Sequence, residues 1–155
     1  MPTAKVTIGA ATAGPLAMTV STGEHSYLLD EPTSVGGGNL GVNPVEASLG
    51  ALAGCSGITM KAVAKHALGI TVDLVEVNVV AQLDPRGMNL QEEVEMPFRS
   101  VHLRYSALSD ADAAQIDELK KLVNKFCPVG KLFRAAGSEV TEEWVIASSS
   151  VGAQQ

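Results

Sequence analysis

A stripe of small residues in the segment 43–67 is the feature that most constrains the fold of this chain. Its members recur at three- and four-residue spacing, and they are Ala47, Gly50, Ala51, Gly54 and Gly57. Residues at this spacing share one face of an α-helix. Because each glycine costs a helix about 1 kcal/mol relative to alanine, the stripe predicts that a second helix packs very close to this face.

The start of this helix carries a local signal of its own. Asn43 is a favoured N-cap, Pro44 falls at the favoured first helical position, and Glu46 stands three residues after the cap. The pattern resembles a capping box, in which the two side chains bind each other's backbone amides. The sequence therefore predicts a helix that begins after Asn43 and carries Cys55 near its middle.

Alternating apolar residues and turn signals predict strands on both sides of this helix. An N-terminal antiparallel meander is predicted over 5–12, 15–21 and 25–30, where segments rich in Val, Thr and small residues are separated by Gly-Pro and Thr-Gly-Glu. Further strands are predicted over 71–83, 98–107 and 139–147. Together with the helices, these strands predict an α+β fold.

Two more helices are predicted in the second half of the chain. One runs from Ser109, taken as its N-cap, to Phe126, with apolar residues on one stripe. The other covers 128–136, because Pro128 disfavours a helix through Cys127 and is well placed to open a new one. Cys127 is therefore expected near the N-cap of a short helix.

The two long loops have different compositions. Residues 30–41, DEPTSVGGGNLG, contain Pro32 and three consecutive glycines, which predicts a flexible loop without regular structure, of a kind that often borders a site. Residues 84–97 are acidic and marked by Gly and Pro, which predicts a solvated hairpin connection or a mobile flap.

Length and composition favour a single domain over 1–147. A chain of 155 residues with 46% hydrophobic content can bury one good core. The tail 148–155 has little to bury and is expected to fray.

Charge and targeting signals narrow the possible partners and the compartment. A net charge of −6 with only 11 basic residues disfavours a nucleic-acid or anionic-membrane surface. The N-terminus has no secretory pattern, and no uninterrupted apolar run reaches the length of about 18 residues that a membrane helix needs. These features predict a cytoplasmic protein that binds neither nucleic acid nor membrane.

Only two cysteines are present, Cys55 and Cys127, and they stand far apart in the sequence. This spacing excludes a CxxC redox motif and a four-thiolate zinc site. At mid-helix Cys55 gains no help from the helix dipole, whereas free amides and Lys131 would favour a thiolate at Cys127. Two hypotheses remain at this point: a thiol pair that forms a transient, catalytic or sensing disulfide, or two inert core residues.

The three histidines, His25, His66 and His102, have no metal-ligand spacing to each other or to a cysteine. No set of metal ligands is therefore expected among them, and no metal, flavin or haem is expected as a cofactor.

Two segments resemble a known family. They are GGGNLGVNPVEASLGALAGCSGITMKAVAKHALGITV (36–72) and CPVGKLF (127–133). The Asn-Pro-x-Glu start, the Ala/Gly-rich run leading into a cysteine and the distant Cys-Pro are similar to those of the osmotically inducible protein C and organic hydroperoxide resistance (OsmC/Ohr) superfamily. The order of elements along the whole chain is compatible with this resemblance.

The resemblance implies an OsmC-like α+β fold and an intertwined homodimer. In that fold the N-terminal meander of one chain joins the sheet of the other around two central antiparallel helices, which would explain the stripe of small residues. It further implies thiol-dependent reduction of organic hydroperoxides in oxidative stress defence. Cys55 would be the peroxidatic thiolate and Cys127 the resolving thiol, with a small hydroperoxide as substrate and an external thiol as reductant.

The sequence departs from the peroxide-reducing branch at two positions. That branch has an arginine on the N-terminal hairpin and a glutamate directly after Asn-Pro, whereas this chain has no arginine before Arg86 and has Val45 at the second position. Glu46, one place later, resembles a broader OsmC-like branch and is expected to point away from Cys55. The candidates for a replacement cation, from the same chain or from a partner, are Lys5, Arg86, Arg99 and Arg104.

Two alternatives to a peroxidase therefore stand beside it. One is a non-catalytic OsmC-like dimer that binds a small apolar or thiol-reactive ligand in the cleft between subunits. The other is a redox sensor whose thiols oxidise slowly.

Overall fold

The structure, a computed structural model, describes residues 3–149 apart from the side chain of Leu74. These residues form two compact units, one ending at Ser48 and the other beginning at Leu49. We call them the N-terminal unit and the C-terminal unit and describe each by itself.

The N-terminal unit contains the predicted meander. Strands β1 (Gly9–Thr12), β2 (Ala17–Thr22) and β3 (His25–Asp30) form one antiparallel sheet in the order β1-β2-β3. The turn between β2 and β3 uses Gly23 at φ +55°, a conformation that glycine adopts without strain. The prediction of three antiparallel strands is confirmed.

The loop after β3 is more ordered than its composition predicts. A 3₁₀ helix covers Thr33–Val35, and the buried Asp30 carboxylate accepts the backbone N–H groups of Glu31, Gly38 and Leu40 at 2.9, 3.0 and 3.1 Å. These hydrogen bonds lower the pKa of Asp30. The prediction of a loop without regular structure was wrong, because one buried carboxylate binds backbone amides on both sides of the glycine run.

Helix α1 (Pro44–Val63) begins where the sequence predicts. Asn43 Oδ1 accepts the Glu46 N–H at 2.8 Å, and Glu46 Oε2 accepts the Asn43 N–H at 3.0 Å, so the capping box is present. A π-helical segment, Ala64–Leu68, continues the helix to Gly69, which has φ +64°. The helical run Pro44–Leu68 is long and apolar enough to cross a membrane. Core helices of water-soluble proteins meet the same criterion of length and hydropathy.

The C-terminal unit is built on a second three-stranded sheet in the order β4-β5-β6. Strand β5 (Phe98–Leu108) is central; β4 (Asp73–Leu83) pairs with it antiparallel and β6 (Glu139–Ala147) pairs with it parallel. Alternate β5 side chains are buried in the core, and they are Val101, Leu103, Tyr105 and Ala107. All three predicted strands are confirmed, and residues 84–97 are the hairpin connection between β4 and β5.

Two helices lie between β5 and β6 in the chain. They are α2 (Ala113–Phe126) and α3 (Pro128–Ala135). The predicted N-cap of α2 was wrong: the cap is Asp112, which forms a capping box with Gln115. Ser109 instead donates a hydrogen bond from Oγ to the Thr71 carbonyl at 2.7 Å, so its hydroxyl connects the chain after β5 to the chain before β4.

The chain end lies partly outside the described residues. Asp110 Oδ1 accepts hydrogen bonds from Ser148 Oγ and the Ser149 N–H at 2.7 and 2.9 Å. The predicted fraying of 148–155 concerns residues that, from 150 onward, lie outside the described part of the chain. The prediction of one domain over 1–147 stays a prediction.

Candidate thiol site

The fold of the C-terminal unit brings the two cysteines together. Cys55 lies on α1 and Cys127 lies between α2 and α3, and their sulfur atoms are 3.5 Å apart. Both thiols are free. The two sulfur atoms would have to approach by about 1.5 Å to reach the S–S bond length of about 2 Å.

Cys127 takes its position from the break between two helices. It has an extended conformation, with φ −70° and ψ 107°, and ends α2 directly before Pro128. Its Sγ accepts the Gly130 N–H at 3.3 Å and so caps α3. The predicted position of Cys127 near an N-cap is confirmed. Lys131, which was expected to favour a thiolate at Cys127, is exposed to solvent.

The sulfur of Cys127 lies among polar groups that the sequence analysis did not select. Ser56 Oγ is 3.5 Å from Cys127 Sγ, and Ser56 also hydrogen-bonds the Tyr105 hydroxyl. Burial raises the pKa of Tyr105 to about 12, so this hydroxyl stays protonated. The Tyr105 ring stacks on the Trp144 ring, with centroids 4.0 Å apart.

Side chains from α2, α3 and β6 enclose a small cavity together with Cys127. Arg134 Nη2 on α3 donates to Glu142 Oε1 on β6 at 2.7 Å and to Asn124 Oδ1 on α2 at 2.5 Å. Glu142 Oε2 accepts from Asn124 Nδ2 and from Trp144 Nε1, each at 3.0 Å. The space that these groups enclose with Ser56, Tyr105 and Cys127 is too small for a water molecule.

Cys55 has a different environment from its partner. It is partly exposed, whereas Cys127 is only 2% exposed. Burial is the main cause that raises the pKa of the Cys55 thiol, and the neighbouring Cys127 raises it further. Hydrogen bonds from the Val129 amide and the Thr59 hydroxyl oppose this rise in pKa.

The arginines predicted as replacement cations bind carboxylates elsewhere. Arg86 and Arg99 both bind Asp84, with contacts of 2.6 and 2.8 Å, and Arg104 binds Glu143 at 3.4 Å. Lys5 is exposed in the N-terminal unit.

The arginine that lies near Cys127 was missed by the sequence analysis. Arg134 comes seven residues after Cys127, which is about two helical turns and places both on one face of α3. That spacing was the available signal. Ser56, next to Cys55 in the sequence, could not have been selected, because its contact with Cys127 depends on how α1 packs.

His102 on β5 lies beside a threonine of the neighbouring strand β6. His102 Nδ1 lies 2.9 Å from Thr141 Oγ1. Within residues 3–149, no group of three or more His, Cys, Asp or Glu side chains could hold a metal ion.

Solved structures with the same fold come from several bacteria. An OsmC-like protein from Mycoplasma pneumoniae is 21% identical, with a TM-score of 0.78 over 93% of this chain and 98% of that one. An organic hydroperoxide resistance protein OsmC from Legionella pneumophila is 17% identical, with a TM-score of 0.63 over 95% and 99%. The organic hydroperoxide resistance protein OhrB of Bacillus subtilis is 21% identical, with a TM-score of 0.57 over 90% and 97%.

At these identities the structural similarity shows a shared fold alone. A search of curated proteins found no significant match. The family model described as OsmC-like protein matches residues 36–143, a range that includes α1, both cysteines and Arg134. This match covers more than half of the sequence, and the chain therefore belongs to the OsmC-like protein family.

Proposed function

We propose that this protein reduces organic hydroperoxides with its two thiols. The observation that carries the proposal is the 3.5 Å separation of Cys55 Sγ and Cys127 Sγ, which come from distant parts of the chain. Membership of the OsmC-like family supports the same chemistry, since the Legionella and Bacillus proteins of this fold are named for organic hydroperoxide resistance.

The proposed cycle has two steps within one chain. The Cys55 thiolate attacks the O–O bond of the hydroperoxide, takes one oxygen as a sulfenic acid and releases the alkoxide, which takes a proton to leave as an alcohol. Cys127 then attacks the Cys55 sulfur, the S–S bond forms, the S–O bond breaks and water leaves. An external thiol reductant restores both thiols.

The division of roles between the cysteines follows from their exposure. Cys55 is partly exposed and can meet a small hydroperoxide, whereas Cys127 is buried. Cys127 has its sulfur within reach of Cys55, which suits a resolving thiol. Since the disulfide is an intermediate of the cycle and not a lasting crosslink, the chemistry fits a reducing compartment, and we place the protein in the cytoplasm.

A second copy of the chain is proposed as the partner. A Cβ atom built on Gly50 or on Gly54 of α1 would meet no other atom within 4 Å, so this face of the helix is open. Ile58 on the same helix is 73% exposed. Gly57 packs on Val75 and Val77 of β4, and these residues form an apolar groove. A close-packing helix face left open in one chain favours the predicted homodimer, which analytical ultracentrifugation of wild type and Gly54→Gln would test.

The proposed function can be tested by following the thiols directly. Fully reduced protein receives a near-stoichiometric dose of tert-butyl hydroperoxide, and free thiols and intact mass are measured after a short time. We expect both thiols to disappear together with the mass of two hydrogens. The matched controls are Cys55→Ser and Cys127→Ser, and neither variant can form the disulfide.

Two unreacted thiols in the wild type would contradict the proposal. That result would favour the non-catalytic alternative, in which the cysteines line a ligand cleft. Disulfide formation only at large excess of peroxide over long times would instead favour a redox sensor.

A further inference from the structure

We propose that Arg134 is the counter-ion of a Cys127 thiolate and so prepares the resolving thiol for its attack on Cys55. This inference rests on the proposed function and adds a positioning residue to it. It places the anion of the reduced pair on the buried Cys127 and leaves the proton on Cys55.

Arg134 and Cys127 lie close to each other on either side of Gly130. A Cβ built on Gly130 would lie 3.2 Å from Arg134 Nη1 and 3.4 Å from Cys127 Sγ. Arg134 Nη1 and Cys127 Sγ therefore both border the space beside the Gly130 Cα. A positive guanidinium near a sulfur favours its ionised form.

Two side chains hold the Arg134 guanidinium in place. Nη2 makes the contacts with Glu142 and Asn124, at 2.7 and 2.5 Å, while Nη1 is on the Gly130 side. The Glu142 carboxylate is itself shared with Asn124 and Trp144, at 3.0 Å each. These hydrogen bonds to α2 and β6 hold the partly exposed Arg134 guanidinium in one orientation.

The Cys127 sulfur has further hydrogen-bond donors nearby. The Gly130 N–H points at Cys127 Sγ from 3.3 Å, and Ser56 Oγ can donate from 3.5 Å. The first turn of α3 adds its partial positive charge. Each group favours a negative sulfur at this position.

The titratable groups facing Cys127 come from four elements. They are Cys55 on α1, Tyr105 on β5, Arg134 on α3 and Glu142 on β6. Tyr105 stays neutral because burial raises its pKa, and helix α2 contributes the uncharged Asn124. Arg134 is therefore the one cation among the described groups that line this cavity, and Glu142 reduces but does not remove its effect.

The consequence is a fast second step after a slower first one. Once Cys55 is a sulfenic acid, the Cys127 thiolate attacks the Cys55 sulfur, the S–S bond forms and the S–O electron pair leaves with hydroxide. The hydroxide takes a proton from solvent. Burial and the neighbouring Cys127 raise the pKa of Cys55, so we expect the first oxidation to be the slower step.

The test locates the thiolate without any peroxide. Ultraviolet thiolate absorbance is titrated against pH in Cys55→Ser, which retains only Cys127, and in Cys127→Ser, which retains only Cys55; tyrosine ionisation is subtracted at its own wavelength. We expect Cys127 to have the lower titration midpoint. Adding Arg134→Gln to Cys55→Ser should raise that midpoint by about 1 pH unit or more.

Two further variants separate charge from structure. Glu142→Gln in the Cys55→Ser background keeps Arg134 and removes the opposing carboxylate, so the Cys127 midpoint should fall. Arg134→Lys should restore part of the effect of the arginine. Arg104→Gln, which removes an exposed arginine on β5, should leave the Cys55 and Cys127 midpoints unchanged.

The inference is overturned if Cys55 has the lower midpoint, or if Arg134→Gln and Glu142→Gln move the Cys127 midpoint in the same direction. These results do not depend on whether the wild type consumes hydroperoxide. In the otherwise wild-type chain, Arg134→Gln should also let the Cys55 sulfenic acid accumulate before the disulfide appears. A mass trace without that intermediate would contradict the positioning role.

Discussion

Cys55 and Cys127 are chemically identical groups in two different environments. Cys55 lies at mid-helix, partly exposed, where burial raises its pKa. Cys127 is buried at the start of a helix, with an amide, a hydroxyl and an arginine around its sulfur. One thiol is partly open to solvent, and the other is buried beside hydrogen-bond donors and an arginine.

This difference shows how one pair of sulfurs can divide a reaction. A thiol that is accessible but poorly ionised reacts slowly with peroxide, whereas a shielded thiolate reacts only with the sulfur beside it. If Cys127 is the resolving thiol, as proposed, its burial also protects it from oxidation by solvent peroxide.

Removing each sulfur in turn should give the largest difference. We expect Cys55→Ser to lose hydroperoxide reduction by at least about 100-fold, because the remaining thiol is buried and lacks access. Cys127→Ser should still take up one oxygen at Cys55 and then stop. Stopped-flow peroxide consumption with intact mass measures both. Equal losses at the first oxidation in the two variants would remove the asymmetry.

The first oxidation should depend steeply on pH. Since the pKa of Cys55 is raised, little of this thiol is ionised near neutrality, and the ionised fraction grows about tenfold per pH unit below the pKa. The single-turnover rate in the wild type should therefore rise with pH and level off only in the alkaline range. A rate that is flat or falls with increasing pH would place the reactive thiolate elsewhere.

Ser56→Ala should weaken the Cys127 side alone. The variant removes a hydroxyl 3.5 Å from the Cys127 sulfur, and one hydrogen bond is worth about 1 kcal/mol, so disulfide formation should slow by about fivefold. The first oxidation of Cys55 should change little. Ser48→Ala, on the same helix with its hydroxyl bound to the Val45 carbonyl, is the matched control, and an equal slowing there would indicate a general helix defect.

The smallest effect should come from Thr59 on the Cys55 side. Its hydroxyl lowers the pKa of Cys55, so the nearly isosteric Thr59→Val should raise that pKa and slow the first oxidation by about twofold to fivefold. Disulfide formation from the sulfenic acid should keep its rate. A change in the second step alone would mean that Thr59 acts on Cys127 instead.

Local signals explain which elements could be predicted. The Asn43 capping box, the break at Pro128 and the alternation along β4 and β5 act between near neighbours in sequence, and the helices and strands they predict are present. Two errors occurred where a contact over a greater distance decided the outcome. Asp30 organises a glycine-rich loop up to ten residues away, and Ser109 binds Thr71 instead of capping α2.

The sequence by itself determined the order of elements, the cap of α1, the place of Cys127 at a helix start and the family resemblance. These depend on backbone preferences and motifs that can be followed along the chain. Only the tertiary structure decided that the two sulfurs lie 3.5 Å apart, that Ser56 and Arg134 approach Cys127, and that Arg86, Arg99 and Arg104 bind carboxylates elsewhere. The physical reason is that such contacts join residues distant in sequence, so they depend on how helices pack on the sheet.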